Sequence, residues 1–382
     1  MLRLNEYRNL LASDSDTIEL PTENGQTVVC RKQATGMEQF LDQAEGLLQD
    51  IVQCKDISTL DVLYRLRDLA MVLGNLELHD ECRLIGNFAL DLAEALGRQS
   101  LGFRRHQAET IALIAVLHAY RPRARTLFIQ AVSICDEVVA SHPSDPNKNA
   151  LLGILHRAGY WLKGDPELSV HWLERAVKLM TKDLPSTMVT TTFRSVTYFN
   201  YGVDLRRLKR YVDAVEVHRH AVSIRRTLVT GDPIKHTPYL ARALENIGMS
   251  LDDLGRCDEA ATEYKEALKH CRTVSAQRPL QYKAQLAKVL YNYGITLVKL
   301  EQFSEAADMN KEAVTLYRGL AEMEENYRAE LNDALTNYGR AVTSLDSMRR
   351  LCSHTRNTFR YSTRWLQQTL KRELIYAMLF TT

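Results

Sequence analysis

Three stretches decide the fold: ARALENIG at 241–248, KVLYNYG at 288–294 and DALTNYG at 333–339. Laid on their final glycines, they share an Asn two residues before the Gly and a Leu six residues after it. A fourth copy falls upstream, so the ladder runs Asn200, Asn246, Asn292 and Asn337; Gly202, Gly248, Gly294 and Gly339; Leu208, Leu254, Leu300 and Leu345. The glycines stand 46, 46 and 45 residues apart. A fixed period of that length marks stacked supersecondary units.

The rule extends backwards through the chain. Twelve residues after the glycine position stands a small residue: Cys82, Ala124, Ser169, Ala214, Ala260 and Ala306. Nineteen after it stands an alanine, at Ala89, Ala131, Ala176, Ala221, Ala267 and Ala313, each followed by an aliphatic residue. In the first three copies the glycine position is held by Ala70, Ala112 and Arg157, the third displaced towards Gly159. Two antiparallel helices approach closely only where both present small side chains. The spacing therefore predicts that each Gly meets the small residue twelve later, while the alanine at nineteen faces the next helix pair. Turn formers separate the helices (Gly255-Arg256, Lys163-Gly164-Asp165-Pro166) and the pairs (Gly231-Asp232-Pro233, Arg278-Pro279). No stretch alternates with period two over a strand length, so no sheet is expected.

Asn-x-Gly, a small residue at twelve, Tyr264 at sixteen in one copy and Ala at nineteen together resemble the tetratricopeptide (TPR) signature. The 42–46-residue period is similar to the long TPRs of kinesin light chains and of fungal repeat arrays. The resemblance implies an all-α, right-handed superhelical solenoid of antiparallel helix pairs. About seven repeats fill residues 57–345, the last incomplete. It further implies a non-catalytic scaffold that binds extended peptide or partner segments in the concave groove. The ladder Asn200, Asn246, Asn292 and Asn337 is expected to meet the bound backbone, or else to fix the stacking of repeats. Arg242, Lys288, Tyr291, Lys299 and Arg340 would tune specificity towards acidic or aromatic peptides. A clamp for chaperone tails is incomplete, since Leu151, Leu155 and Val196 stand where its polar groups belong. The alternative is a truncated regulatory repeat region of a larger signalling protein, of the nucleotide-binding switch or CHAT-protease type.

Outside the array, residues 1–36 are expected to be mobile, and 37–56 to form a capping helix with Ala44 forty-five residues before Ala89. From 346 to 382 the rule fails: Leu351 and Thr358 replace the small residues, and the segment turns basic. It reads as an array cut short by a splice or gene-model change, or as an amphipathic helix over Trp365–Phe380. The repeat ends are also candidate surfaces for self-association.

Composition excludes several classes. With 49 basic and 47 acidic residues, the net charge of +2 gives no electrostatic footprint for nucleic acid. No run of about 18 apolar residues exists, so no membrane span is expected. Seven cysteines without a CxxC pair nominate no zinc or redox site and fit a reducing compartment, cytoplasmic or nuclear. No phosphate loop, HExxH or GxSxG element occurs, and the eleven histidines are dispersed. Neither metal nor cofactor is expected, nor an enzyme.

Overall fold

A computed structural model describes residues 17–21, 27–31, 59–75, 79–117, 122–162, 164–185 and 190–350. Two compact units divide the chain, Met1–Asp204 and Leu205–Thr382. The first holds helices α1 (Thr59–Asn75), α2 (His79–Gln99), α3 (Leu101–Leu117), α4 (Pro122–Ser141), α5 (Asp145–Trp161) and α6 (Pro166–Lys178). Helix α7 (Thr191–Arg207) runs across the boundary. The second unit holds α8 (Tyr211–Gly231), α9 (Pro233–Asp253), α10 (Cys257–Gln277), α11 (Pro279–Lys299), α12 (Phe303–Ala321) and a helix over 328–350, here α13. Within each unit a helix packs on neighbours one or two places along the chain, as in a solenoid. The fold class is all-α, and its helices fall into the expected pairs.

The small residues sit where the spacing put them. Ala124, Ala214, Ala260 and Ala306 are fully buried, as are Ala89, Ala131, Ala176, Ala221, Ala267 and Ala313. The side chain nearest to the glycine is a further one, at sixteen. A Cβ on Gly248 would lie 2.8 Å from the Tyr264 ring, and one on Gly294 2.5 Å from Asn310 Oδ1. The side chain sixteen residues on, one turn beyond the small position, lies flat against the glycine. The residue at twelve bonds the backbone at the same crossing in two copies, the first through Cys82 Sγ, which donates to the Ala70 carbonyl at 3.3 Å.

The third copy crosses at Gly159, not Arg157. Ser169 Oγ donates to the Gly159 carbonyl at 2.7 Å, and a Cβ on Gly159 would fall 2.5 Å from Leu173 Cγ. Pro166 opens α6 directly after its N-cap, Asp165, whose side chain accepts from Leu168 N. In this pair the crossing residue therefore stands ten, not twelve, residues before the small one, and the second helix keeps its register.

Three turns share one backbone. Lys209, Gly255 and Glu301, each seven residues past the glycine position, have φ of 61°, 75° and 59°. The next amides, of Arg210, Arg256 and Gln302, return to Leu205, Leu251 and Leu297 carbonyls at 2.9 Å, as in a Schellman cap. Gly255 alone adopts that conformation without Cβ strain. Proline at the first positions of α6, α9 and α11 sets the opposite ends, where no amide is needed.

The expectation of no sheet is corrected by a two-stranded antiparallel hairpin, β1 (Thr17–Pro21) with β2 (Thr27–Arg31). Ile18 stands opposite Cys30 and Leu20 opposite Val28. Both segments are rich in β-branched residues, and the sequence between them holds the turn-forming pair Asn24-Gly25. The expected capping helix at 37–56 lies outside the described residues, as does the tail beyond 350.

Candidate peptide-binding groove

The first helices of successive repeats lie side by side, and their polar residues meet across the seam. In the first unit Tyr64 Oη and His106 Nδ1 are hydrogen-bonded at 2.8 Å, forty-two residues apart. Arg67 Nη1 approaches Glu109 Oε2 at 4.0 Å, and His106 Nδ1 lies 3.6 Å from the same oxygen. Burial opposes ionisation of Glu109, but His106, Arg67 and Arg105 outweigh it and hold its carboxyl below the usual range. Two repeats on, Thr197 Oγ1 and His156 Nδ1 are 2.9 Å apart, with the Phe193 ring centred 4.5 Å from the imidazole. Burial, then the Arg157 charge, pushes His156 down to about 4, so it is neutral at physiological pH. Between these contacts opens a cavity of about 400 Å³, lined by Arg67, Glu109, Asn149, Gly153, Arg157 and Phe193 among others. Helices α1, α3, α5 and α7 each contribute, all first helices of their pairs.

The second unit has a seam of the same kind, closed rather than open. Glu245 of α9, 1% exposed, accepts from Asn292 Nδ2 at 3.1 Å and pairs with Lys288 Nζ at 3.3 Å, both on α11. Burial raises its carboxyl above the ordinary range despite the nearby lysine. Asp252 accepts from Thr296 Oγ1 at 2.5 Å and pairs with Lys299 Nζ at 3.4 Å. Second helices are tied likewise, by Arg226 to Glu266 at 2.8 Å and Arg272 to Glu312 at 2.7 Å. These outer pairs are exposed and contribute more to register than to stability.

Of the expected groove residues, the asparagine ladder is mostly enclosed. Asn246 and Asn337 are each 7% exposed, and Asn246 Nδ2 donates to the carbonyl of Arg242 in its own helix at 2.7 Å. Asn292 bonds the neighbouring repeat through Glu245, which is the stacking role. Asn200 Nδ2 is enclosed without a hydrogen-bond partner. Lys288 and Lys299 are held by the carboxylates just named, Tyr291 is half-buried, and Arg242 and Arg340 are exposed. The sequence did not nominate Arg67, Glu109 or Arg157. Arg67, Glu109 and Glu245 all stand three residues before the glycine position, and charge recurring at one register was the available signal.

Comparison with known proteins agrees with this architecture. Residues 240–275 match a sequence profile described as tetratricopeptide repeat. A search of curated proteins finds no match. Among solved structures, the apo form of RapI superposes with a TM-score of 0.53 at 9% identity, over 75% of this chain and 72% of that one. BtubC (BKLC) from P. vanneervenii gives 0.48 at 16% identity, over 62% and 89%. Aspartyl phosphate phosphatase F from Bacillus subtilis gives 0.47 at 13%, over 86% of each chain. The profile match falls on α9 and α10, where Gly248 crosses Tyr264, and the other helix pairs repeat that unit. Residues 240–275 thus carry a tetratricopeptide repeat, set within an array of similar helix pairs.

Proposed function

We infer that the chain is a non-catalytic interaction scaffold that takes an extended peptide segment of a protein partner along its first helices. The observation that carries this reading is the cavity of the first unit, where four first helices converge on a concave, mixed polar and aromatic wall. Its volume lies in the range that receives side chains or small ligands. Among the described residues no helix is long and apolar enough to cross a membrane. The buried thiols of Cys82, Cys135 and Cys271, pushed up to about 11, 12 and 12 by burial, are poor nucleophiles and serve as small core residues. They support a cytoplasmic or nuclear setting.

The test is selection of random dodecapeptides against the immobilised full chain, followed by binding of the enriched sequences to Asn149→Trp. Asn149 is exposed on the wall of the cavity, so an indole there fills the opening without touching the core. Enriched peptides should bind the variant at least about tenfold more weakly, a loss of about 1.4 kcal/mol, at unchanged melting temperature. No enrichment, or equal binding to the variant, overturns the reading.

A further inference from the structure

We propose that the cavity of the first unit accepts an oxyanion from within the bound peptide, a carboxylate of Asp or Glu or a phosphoryl group, between Arg67 and Arg157. The proposal rests on the peptide-binding reading above and adds the chemistry of the ligand.

The charges in the wall are out of balance. Two guanidinium groups and one carboxylate, Glu109, are the charged groups that line it. The Arg67 side chain is 15% exposed, and its Nε and Nη1 are enclosed without a hydrogen-bond partner. Glu109 stands 4.0 Å off, beyond hydrogen-bonding distance, and shares its oxygen with His106. The Tyr64 ring, 5.2 Å from Arg67 Cζ, holds the guanidinium from one side without satisfying its N–H groups. Arg157 runs back along α5, with Nη1 3.6 Å from where a Cβ of Gly153 would be. The missing side chain at Gly153 leaves the guanidinium open to the cavity. Among the described residues Arg157 has no ion-pair partner within 4 Å; burial followed by the Arg67 charge disfavours its cation, and Glu109 offsets only part of this.

Two half-buried cations that share one carboxylate are incompletely compensated, and an oxyanion that enters the cavity removes that cost. Guanidinium N–H groups lie in a planar fork that matches carboxylate or phosphoryl oxygens two at a time. His156, neutral through burial, adds no competing charge. Phe193 and Pro146 supply apolar wall for the stem that carries the anion. The second unit lacks this arrangement at its seam, since Lys288 and Lys299 are already bridged to Glu245 and Asp252.

The test uses arrays of degenerate decapeptides blocked at both ends, each fixed at one position as Asp/Glu, phosphoserine, Asn/Gln or Lys. They are probed with the full chain, Asn149→Trp, Arg157→Met and Glu109→Gln. Acid-fixed or phosphoserine-fixed peptides should be captured about tenfold more than Asn/Gln-fixed ones. Which of the two leads identifies the source of the anion. Arg157→Met should erase the difference at unchanged melting temperature. Glu109→Gln removes the resident competitor and should widen it several-fold, a gain that unfolding cannot mimic. If Arg157→Met melts early, Glu109→Gln decides: a widened preference supports the site, an unchanged one overturns it. Capture that ignores the fixed acid while Asn149→Trp still blocks it overturns the anion site and leaves the groove standing. An acid preference that survives a stable Arg157→Met, or one that appears only with a free C-terminal carboxylate, also overturns it. Absence of capture by every peptide defeats the groove reading itself, and the anion site with it.

Discussion

Gly248 and Gly339 occupy the same place in the repeat and have opposite surroundings. At Gly248 a Cβ would meet the Tyr264 ring on three atoms between 2.8 and 3.0 Å, and a buried aromatic has no room to withdraw. Gly248→Ala is expected to destabilise by about 1–3 kcal/mol through overpacking. At Gly339 nothing stands within 4 Å and the residue is exposed in mid-helix. Gly339→Ala is expected to stabilise by about 0.5–1 kcal/mol, because alanine loses less backbone entropy in a helix. Urea unfolding of the two variants checks the pair, and equal signs would mean that the two positions are equivalent after all. The glycines were legible in the sequence because they recur at a fixed spacing, with a tight crossing at Gly248 and Gly294. Their partners were not, because the position at sixteen is filled by Gly86, Phe128, Leu173, His218, Tyr264 and Asn310, which share no chemical class. The asparagine ladder carries more than one role for the converse reason. One residue type at one register serves a helix carbonyl at Asn246 and a neighbouring repeat at Asn292.

Between α9 and α11 the same logic operates on charge. Glu245 is buried and its folded pKa is raised above the ordinary 4.5, so the native state holds its proton more tightly than the unfolded chain does. Stability from this group is complete below 4.5 and declines as pH rises through the folded value. Lys288 offsets that decline by supplying the counter-charge, at 3.3 Å. Removing it by Lys288→Met raises the folded pKa of Glu245 further. The variant should therefore lose stability at pH 7, by about 1 kcal/mol because the lysine is half exposed and solvent screens it. Near pH 4 the loss should vanish, since a protonated Glu245 needs no partner beyond Asn292. Urea midpoints at both pH values measure this. An equal loss at each would assign the effect to the packing of the lysine stem. Helix pairing was readable from spacing alone, whereas this seam was not. Its members differ from one repeat to the next, and only the fold shows that Glu245 and Lys288, forty-three residues apart, face one another.

Across the whole chain, the pattern of contacts sets how damage spreads. Within each unit a helix rests on helices one or two places away, so its stability depends on near neighbours rather than on one shared core. Such arrays open in contiguous cooperative segments, with free energies that differ along the chain. A lesion at one crossing should thus be local. In Gly248→Leu the larger side chain cannot be accommodated against Tyr264, and α9 should separate from α10. Amide exchange should accelerate over residues 233–299, which hold α9, α10 and the α11 seam that leans on Glu245. Amides over 101–161, in α3 to α5, should keep wild-type protection, because their burial and hydrogen bonds lie in the first unit. Hydrogen–deuterium exchange read by mass spectrometry resolves both regions in one experiment. Faster exchange over 101–161 to the same degree would show a single cooperative body, and the nearest-neighbour account would fail. Protected amides there would also mean that the cavity bounded by Arg67 and Arg157 survives the lesion. Peptide capture by Gly248→Leu should then persist at near wild-type strength while the second unit is open.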